Sequence, residues 1–133
     1  MSFLSEKFNI NSFGFDDIVD IKPKIDRIIS NANIKDGLIN IYSISKTSSI
    51  FIGKGDDICK LNSLLDETVK TNNKNINAEF YELILKFKSN FFKNSSTLPI
   101  ENSKILLDNT ESVYFVDFEN NRKIKEVIVS ITY

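Results

Sequence analysis

The chain has 133 residues, 41% of them hydrophobic, and a formal charge of -1 from 17 basic and 18 acidic side chains. That length and apolar content suit one domain with a real core, and the balanced charge leaves no electrostatic footprint for nucleic acid or an anionic membrane surface. Histidine is absent and cysteine occurs once, as Cys59, which excludes histidine metal sites, Ser-His and Cys-His nucleophiles in their usual form, and an internal disulfide.

No apolar run is long enough to span a bilayer, and MSFLSEKFNI lacks the basic and apolar regions of a signal peptide. With a lone cysteine, this pattern fits a reducing cytoplasm.

In chain order, Ser2 to Ile10 sets Phe3, Phe8 and Ile10 among polar neighbours, the pattern of an edge strand. Gly14 to Asp20 is expected to be a turn leading into a helix. Asp20 is its candidate cap, Pro23 sits in its first turn, and Ile25, Ile28, Ile29 and Ala32 recur at helical spacing over about Lys22 to Asn33. Asp36-Gly37 signals a turn. Leu38 to Ile44 is rich in β-branched and aromatic residues, so a strand is expected there, with Ser48 to Ile52 as its partner. Gly53-Lys54-Gly55 ends that strand, and Asp56 or Asp57 opens a helix whose apolar face is Ile58, Leu61, Leu64, Leu65, Thr68 and Val69.

Thr71 to Asn77 is a polar loop. A third helix is expected over about Ala78 to Phe92, with Phe80, Leu83, Ile84, Phe87 and Phe91 on one stripe and Tyr81, Leu85 and Phe92 on another. A helix apolar on two faces must pack against two things, which are its own sheet and either a loop or another subunit. Four strands close the chain: Ser96 to Ile100, Ile105 to Leu107, Ser112 to Phe118 and Ile124 to Thr132. The third of these is apolar on both faces and is expected to lie centrally. The last alternates Ile124, Glu126, Ile128, Ser130 and Thr132 against Lys125, Val127, Val129 and Ile131, the second set being the more apolar.

Chemistry-bearing residues are few. Cys59 falls on the polar side of its helix. Asp16, Asp17 and Asp20 lack the ligand spacing of a calcium loop and are expected to be turn and cap residues. Gly53-Lys54-Gly55 before a helix has two glycines of an anion cradle but not the fuller phosphate-loop pattern, so a hairpin turn is the simpler expectation.

The order of these segments resembles the YjbQ-like family, often labelled secondary thiamine-phosphate synthase. The resemblance is carried by Gly14-Phe15-Asp16-Asp17-Ile18 before a helix and by the strand Gly37-Leu38-Ile39-Asn40-Ile41-Tyr42. KFKSNFFKNSSTLPI at Lys86 to Ile100, the DNTE tetrad at Asp108 to Glu111, and VYFVDF extend it over nearly the whole chain. It implies an α+β fold of antiparallel sheets packed with two or three helices, a single domain over 1–133, and a homotrimer. Against the family pattern, one histidine is replaced by Ser45 and another by Lys86, a glutamate by Lys54, a tryptophan by Thr110 and a glutamine by Glu111, while Thr47 is kept.

The family's synthase activity and histidine metal binding are therefore not carried over, and no cofactor is expected. Ser45, Thr110, Glu111 and Asp108 would mark the former pocket, with Lys46, Thr47, Lys54 and Lys86 as a candidate anion-binding set. Three functions are open. One is a non-catalytic structural or interaction protein in which lysines and acids satisfy one another. The second is a binding module for a phosphorylated small molecule. The third is a residual enzyme using carboxylates and lysine.

Overall fold

A computed structural model describes residues 1–12, 17–72, 92–119 and 123–133. Its strands and helices run β1 (Phe3–Ser12), β2 (Asp17–Asp20), α1 (Lys22–Asn31), β3 (Gly37–Ser43), β4 (Ser48–Gly53), α2 (Gly55–Asn72), β5 (Ser95–Glu101), β6 (Lys104–Ile105), β7 (Ser112–Asp117) and β8 (Lys123–Thr132). Five strands form one sheet in the order β1-β8-β3-β5-β6, and three form another in the order β2-β7-β4. Every pairing is antiparallel. The fold is α+β, as expected.

Period-2 patterning decides which face each strand buries. On β8 the inward set is Lys125, Val127, Val129 and Ile131, a lysine in line with three aliphatics. The three aliphatics meet Ile39 and Ile41 of β3, Ile50 of β4, and Val113 and Phe115 of β7 in the main core. Strand β7 is buried on both faces, because Val116 and Phe118 turn the other way and pack with Ile58 of α2 and with Phe92. The Phe92 ring stacks on Phe118 at 5.7 Å and meets Phe51 edge-on at 6.2 Å. The molecule is thus layered as large sheet, core, small sheet and α2.

Helix α1 dips Ile25 and Ile29 into the main core. It ends where Ala32 N–H bonds back to Ile28 and Asn33 takes φ 55°, a left-handed position that asparagine tolerates well. Its N-cap is Ile21, which has no capping side chain. The Asp20 carboxylate, one residue earlier, accepts the Lys22 N–H at 3.1 Å instead.

Five expectations are corrected. Ser48–Gly53 is not the partner of β3 but pairs with β7 in the other sheet, and Gly53-Lys54-Gly55 is not a hairpin turn but the link from β4 into α2. Asp17–Asp20 is not a turn but an edge strand paired with β7, because the β-branched Ile18 and Val19 each find an apolar layer. Among the α2 side chains described, Ile58 and Asn62 are buried, while Leu61 and Leu64, expected on the apolar face, are exposed. The strand expected at Ile105 to Leu107 is only two residues long. The expected helix over Ala78 to Phe92 lies outside the described residues except for Phe92, as do Gly14 to Asp16.

Candidate functional site

The β3–β4 turn carries Ser45, Lys46 and Thr47, and it faces the chain as it leaves β7 and enters β8. Phe118 N–H donates to the Thr47 carbonyl at 2.9 Å, fixing one to the other. Thr47 N–H and the Lys125 ammonium both donate to Ser45 Oγ, each at 3.3 Å. Ser45 Oγ lies 3.1 Å from Thr47 Oγ1. The Thr47 hydroxyl in turn stands close enough to the Glu119 carboxyl to favour its ionised form. A hydroxyl carries one proton, so one assignment satisfies every group: Ser45 donates to Thr47, and Thr47 donates to Glu119. Lys125 closes the loop with a 2.7 Å ion pair to Glu119 Oε2, and Lys123 adds a second at 3.5 Å.

Burial gives this loop its weight. The Lys125 side chain is only 7% exposed, while that of Glu119 is 22% exposed. Partial burial pushes the Glu119 carboxyl upward, but the hydrogen bond and charge of Lys125, the charge of Lys123 and the Thr47 hydroxyl outweigh it. The net position lies below the ordinary glutamate value. Glu119 N–H donates to Asp117 Oδ1 at 3.0 Å, and Asp117 is fully buried with Oδ2 unpartnered. Behind the turn, the Ser43 and Ser48 hydroxyls bond each other and Ser48 donates to the Ser45 carbonyl at 3.3 Å.

Ser45 beside Lys125 has the outline of a serine–lysine nucleophile pair. The chemistry runs the other way. An ammonium bonded to a carboxylate has no lone pair with which to take the serine proton, so it donates.

The remaining candidates sit elsewhere. Ser48 pairs with Asp117 at one end of β4 and Gly53 with Ser112 at the other, a separation of roughly 17 Å at 3.4 Å per residue. At the far end the Asp108–Glu111 turn satisfies itself. Asp108 Oδ1 accepts Thr110 N–H at 3.1 Å and its hydroxyl at 3.0 Å, while Glu111 Oε1 accepts Asp108 N–H at 3.2 Å. The two bonds from Thr110, helped by the charge of Lys54, hold the exposed Asp108 carboxyl below the usual aspartate value.

This turn lines a cleft of about 640 Å³ together with Asp20, Lys22, Asp26 and Tyr114. Lys22 is already paired with Asp26 at 2.8 Å. Within one chain, then, Lys46 and Thr47 lie at one end of the small sheet and Lys54, Asp108, Thr110 and Glu111 at the other. Lys86 lies outside the described residues. Cys59 is exposed on α2.

Lys125 and Glu119 are the residues that reading the sequence for a site missed. Their signal was present as a lysine in phase with Val127, Val129 and Ile131, since an inward cation demands an anion nearby. Among the described residues, no group of three or more His, Cys, Asp or Glu is arranged to hold a metal ion. No described helix is long and apolar enough to cross a membrane.

Residues 6–133 match the family model described as UPF0047 protein YjbQ-like. A UPF0047 protein of Methanocaldococcus jannaschii is 28% identical over 127 residues, covering 94% of this chain and 91% of that one. Another, from Methanothermobacter thermautotrophicus, is 24% identical over 114 residues, covering 82% and 80%. Among solved structures, an uncharacterised conserved protein of the YjbQ/UPF0047 family from Clostridium acetobutylicum superposes with a TM-score of 0.83 at 19% identity, over 96% of this chain and 99% of that one. A YbjQ-like protein of unknown function from Sulfolobus solfataricus gives 0.79 at 14% identity, over 98% and 96%. With its sheets, its helices and 128 of its 133 residues accounted for by that match, the chain belongs to the UPF0047 YjbQ-like family.

Proposed function

We propose that this protein is a divergent, non-catalytic member of its family that acts as a structural or interaction protein. One observation carries the reading: at Ser45, Thr47, Lys125 and Glu119 the donors and acceptors are spent on one another. Reacting chemistry needs a group poised to accept or deliver a proton to something else. The replacement of family pocket residues by Ser45, Lys54, Lys86, Thr110 and Glu111 supports the same reading. Purified protein assayed for thiamine phosphate formation, with and without added divalent metal, is expected to give no product above blank. Turnover well above blank sinks the proposal in favour of a residual synthase-type enzyme.

A second reading, a binding module for a phosphorylated small molecule, is favoured by Lys46. It is exposed beside Thr47 and has no ion-pair partner among the described residues. A thermal-shift titration at low salt with pyrophosphate, thiamine phosphate and sulfate separates the two. The non-catalytic scaffold gives no shift beyond that of sulfate, whereas a phosphate-selective, saturable rise that Lys46→Ala abolishes establishes the module. A homotrimer in a reducing cytoplasm completes the proposal and suits the exposed thiol of Cys59.

A further inference from the structure

The closed network contains the parts of a ligand site. Lys125 lies on the buried face of β8 with its side chain only 7% exposed, so its ammonium is largely withdrawn from water and calls for an anion where Glu119 now sits. The Thr47 hydroxyl is the second group that favours an anion there, and Ser45 Oγ, which accepts from Lys125 and lies against Thr47 Oγ1, holds the two in place. We propose that Glu119 is the built-in occupant of a carboxylate-binding site formed by Lys125, Ser45 and Thr47, and that a free small carboxylate takes its place when the Glu119 side chain is withdrawn. This deepens the non-catalytic reading and rests on the network being closed in the native chain.

Two features make the site hold its shape without that side chain. The backbone at its mouth is tied by Phe118 N–H to the Thr47 carbonyl and by Glu119 N–H to Asp117 Oδ1. The Phe118 ring is anchored under Phe92. Neither tie uses the Glu119 carboxylate. Because the Glu119 side chain remains 22% exposed, its place opens toward solvent and a guest can reach it. Selectivity follows from Asp117, a fully buried residue whose Oδ1 accepts the Glu119 N–H. It disfavours a doubly charged phosphate and leaves a singly charged carboxylate as the matching guest. In the native chain the tethered Glu119 is present at an effective concentration in the millimolar range, so it outcompetes dilute free anions.

The test compares wild type, Glu119→Ala and Glu119→Ala/Lys125→Met by thermal unfolding in sodium acetate against sodium chloride at equal ionic strength, with inorganic phosphate as a third arm. In the Glu119→Ala protein, acetate is expected to raise Tm saturably by about 5 °C at a tenfold excess over its Kd. Phosphate should do less, and neither the double variant nor wild type should distinguish acetate from chloride. Equal Tm in acetate and chloride for Glu119→Ala, or an equal acetate response in the double variant, overturns the proposal while leaving the non-catalytic reading intact. A selective, saturable response of wild type itself sinks the closed network and this proposal with it. Should Glu119→Ala fail to fold, Glu119→Ser keeps an acceptor for Lys125 and is read by the same comparison.

Discussion

Lys125 and Glu119 share one bond but not one environment, and their substitutions should differ accordingly. Removing the acid strands a cation on a side chain only 7% exposed, whereas removing the lysine strands an anion on one that is 22% exposed. Glu119→Ala is expected to cost roughly 2–4 kcal/mol, between the exposed and buried limits for ion pairs, and Lys125→Met about 1 kcal/mol or less. Urea unfolding checks this, as a shift in midpoint at unchanged slope. The pH dependence follows from the depressed Glu119 carboxyl. A group with a folded pKa below its unfolded one binds fewer protons when folded. Its contribution is therefore complete above the unfolded glutamate value of about 4.3 and lost as pH falls through the lower folded value. Acid unfolding of Glu119→Gln should lack that part of the acid limb. An acid limb identical to wild type would show that Glu119 contributes nothing to it.

Elements differ in how much of their placement is local. The period-2 patterns of β7 and β8 were legible in the sequence, and the inward sets are those the alternation implied. Helix α2 was half legible. Its extent follows from periodicity, but Leu61 and Leu64 face out while Asn62 is buried, because the sheet beneath it, not the helix, determines which stripe is covered. Phe118→Ala should cost about 3–5 kcal/mol, since that ring joins β7 to Phe92 and Ile58. A cost near that of a surface substitution would remove the claim that this second layer is a packed core. At the start of β3, a Cβ on Gly37 would collide with the Thr132 carbonyl of β8. Gly37→Ala is therefore expected to lose about 1–3 kcal/mol through forced separation of those strands, read by the same urea midpoints.

On the scale of the molecule, the two ends of the small sheet carry the two halves of the expected pocket. Ser45, Lys46 and Thr47 lie at one end, and Lys54 with the Asp108–Glu111 turn at the other. A phosphate held by hydrogen bonds of about 3 Å cannot reach both ends of a single chain. In a monomer, any effects of Lys46→Ala and Lys54→Ala on phosphate affinity would belong to separate sites. Light scattering should return three times the chain mass if the proposed trimer forms, and a clean monomer would remove that proposal.

By itself the sequence determined the fold class, the strand faces, the helix α1 and the family, because each rests on local periodicity and on the order of segments along the chain. It also showed that histidine chemistry is absent. Only the tertiary structure decided that Lys125 meets Glu119, Ser45 and Thr47, and that the DNTE turn closes on itself. The first is a contact across 80 residues of chain between Lys125 and Ser45, and the register of three strands brings it about. No residue pattern encodes such a meeting, since what an inward lysine will find is settled only when the sheets close over it.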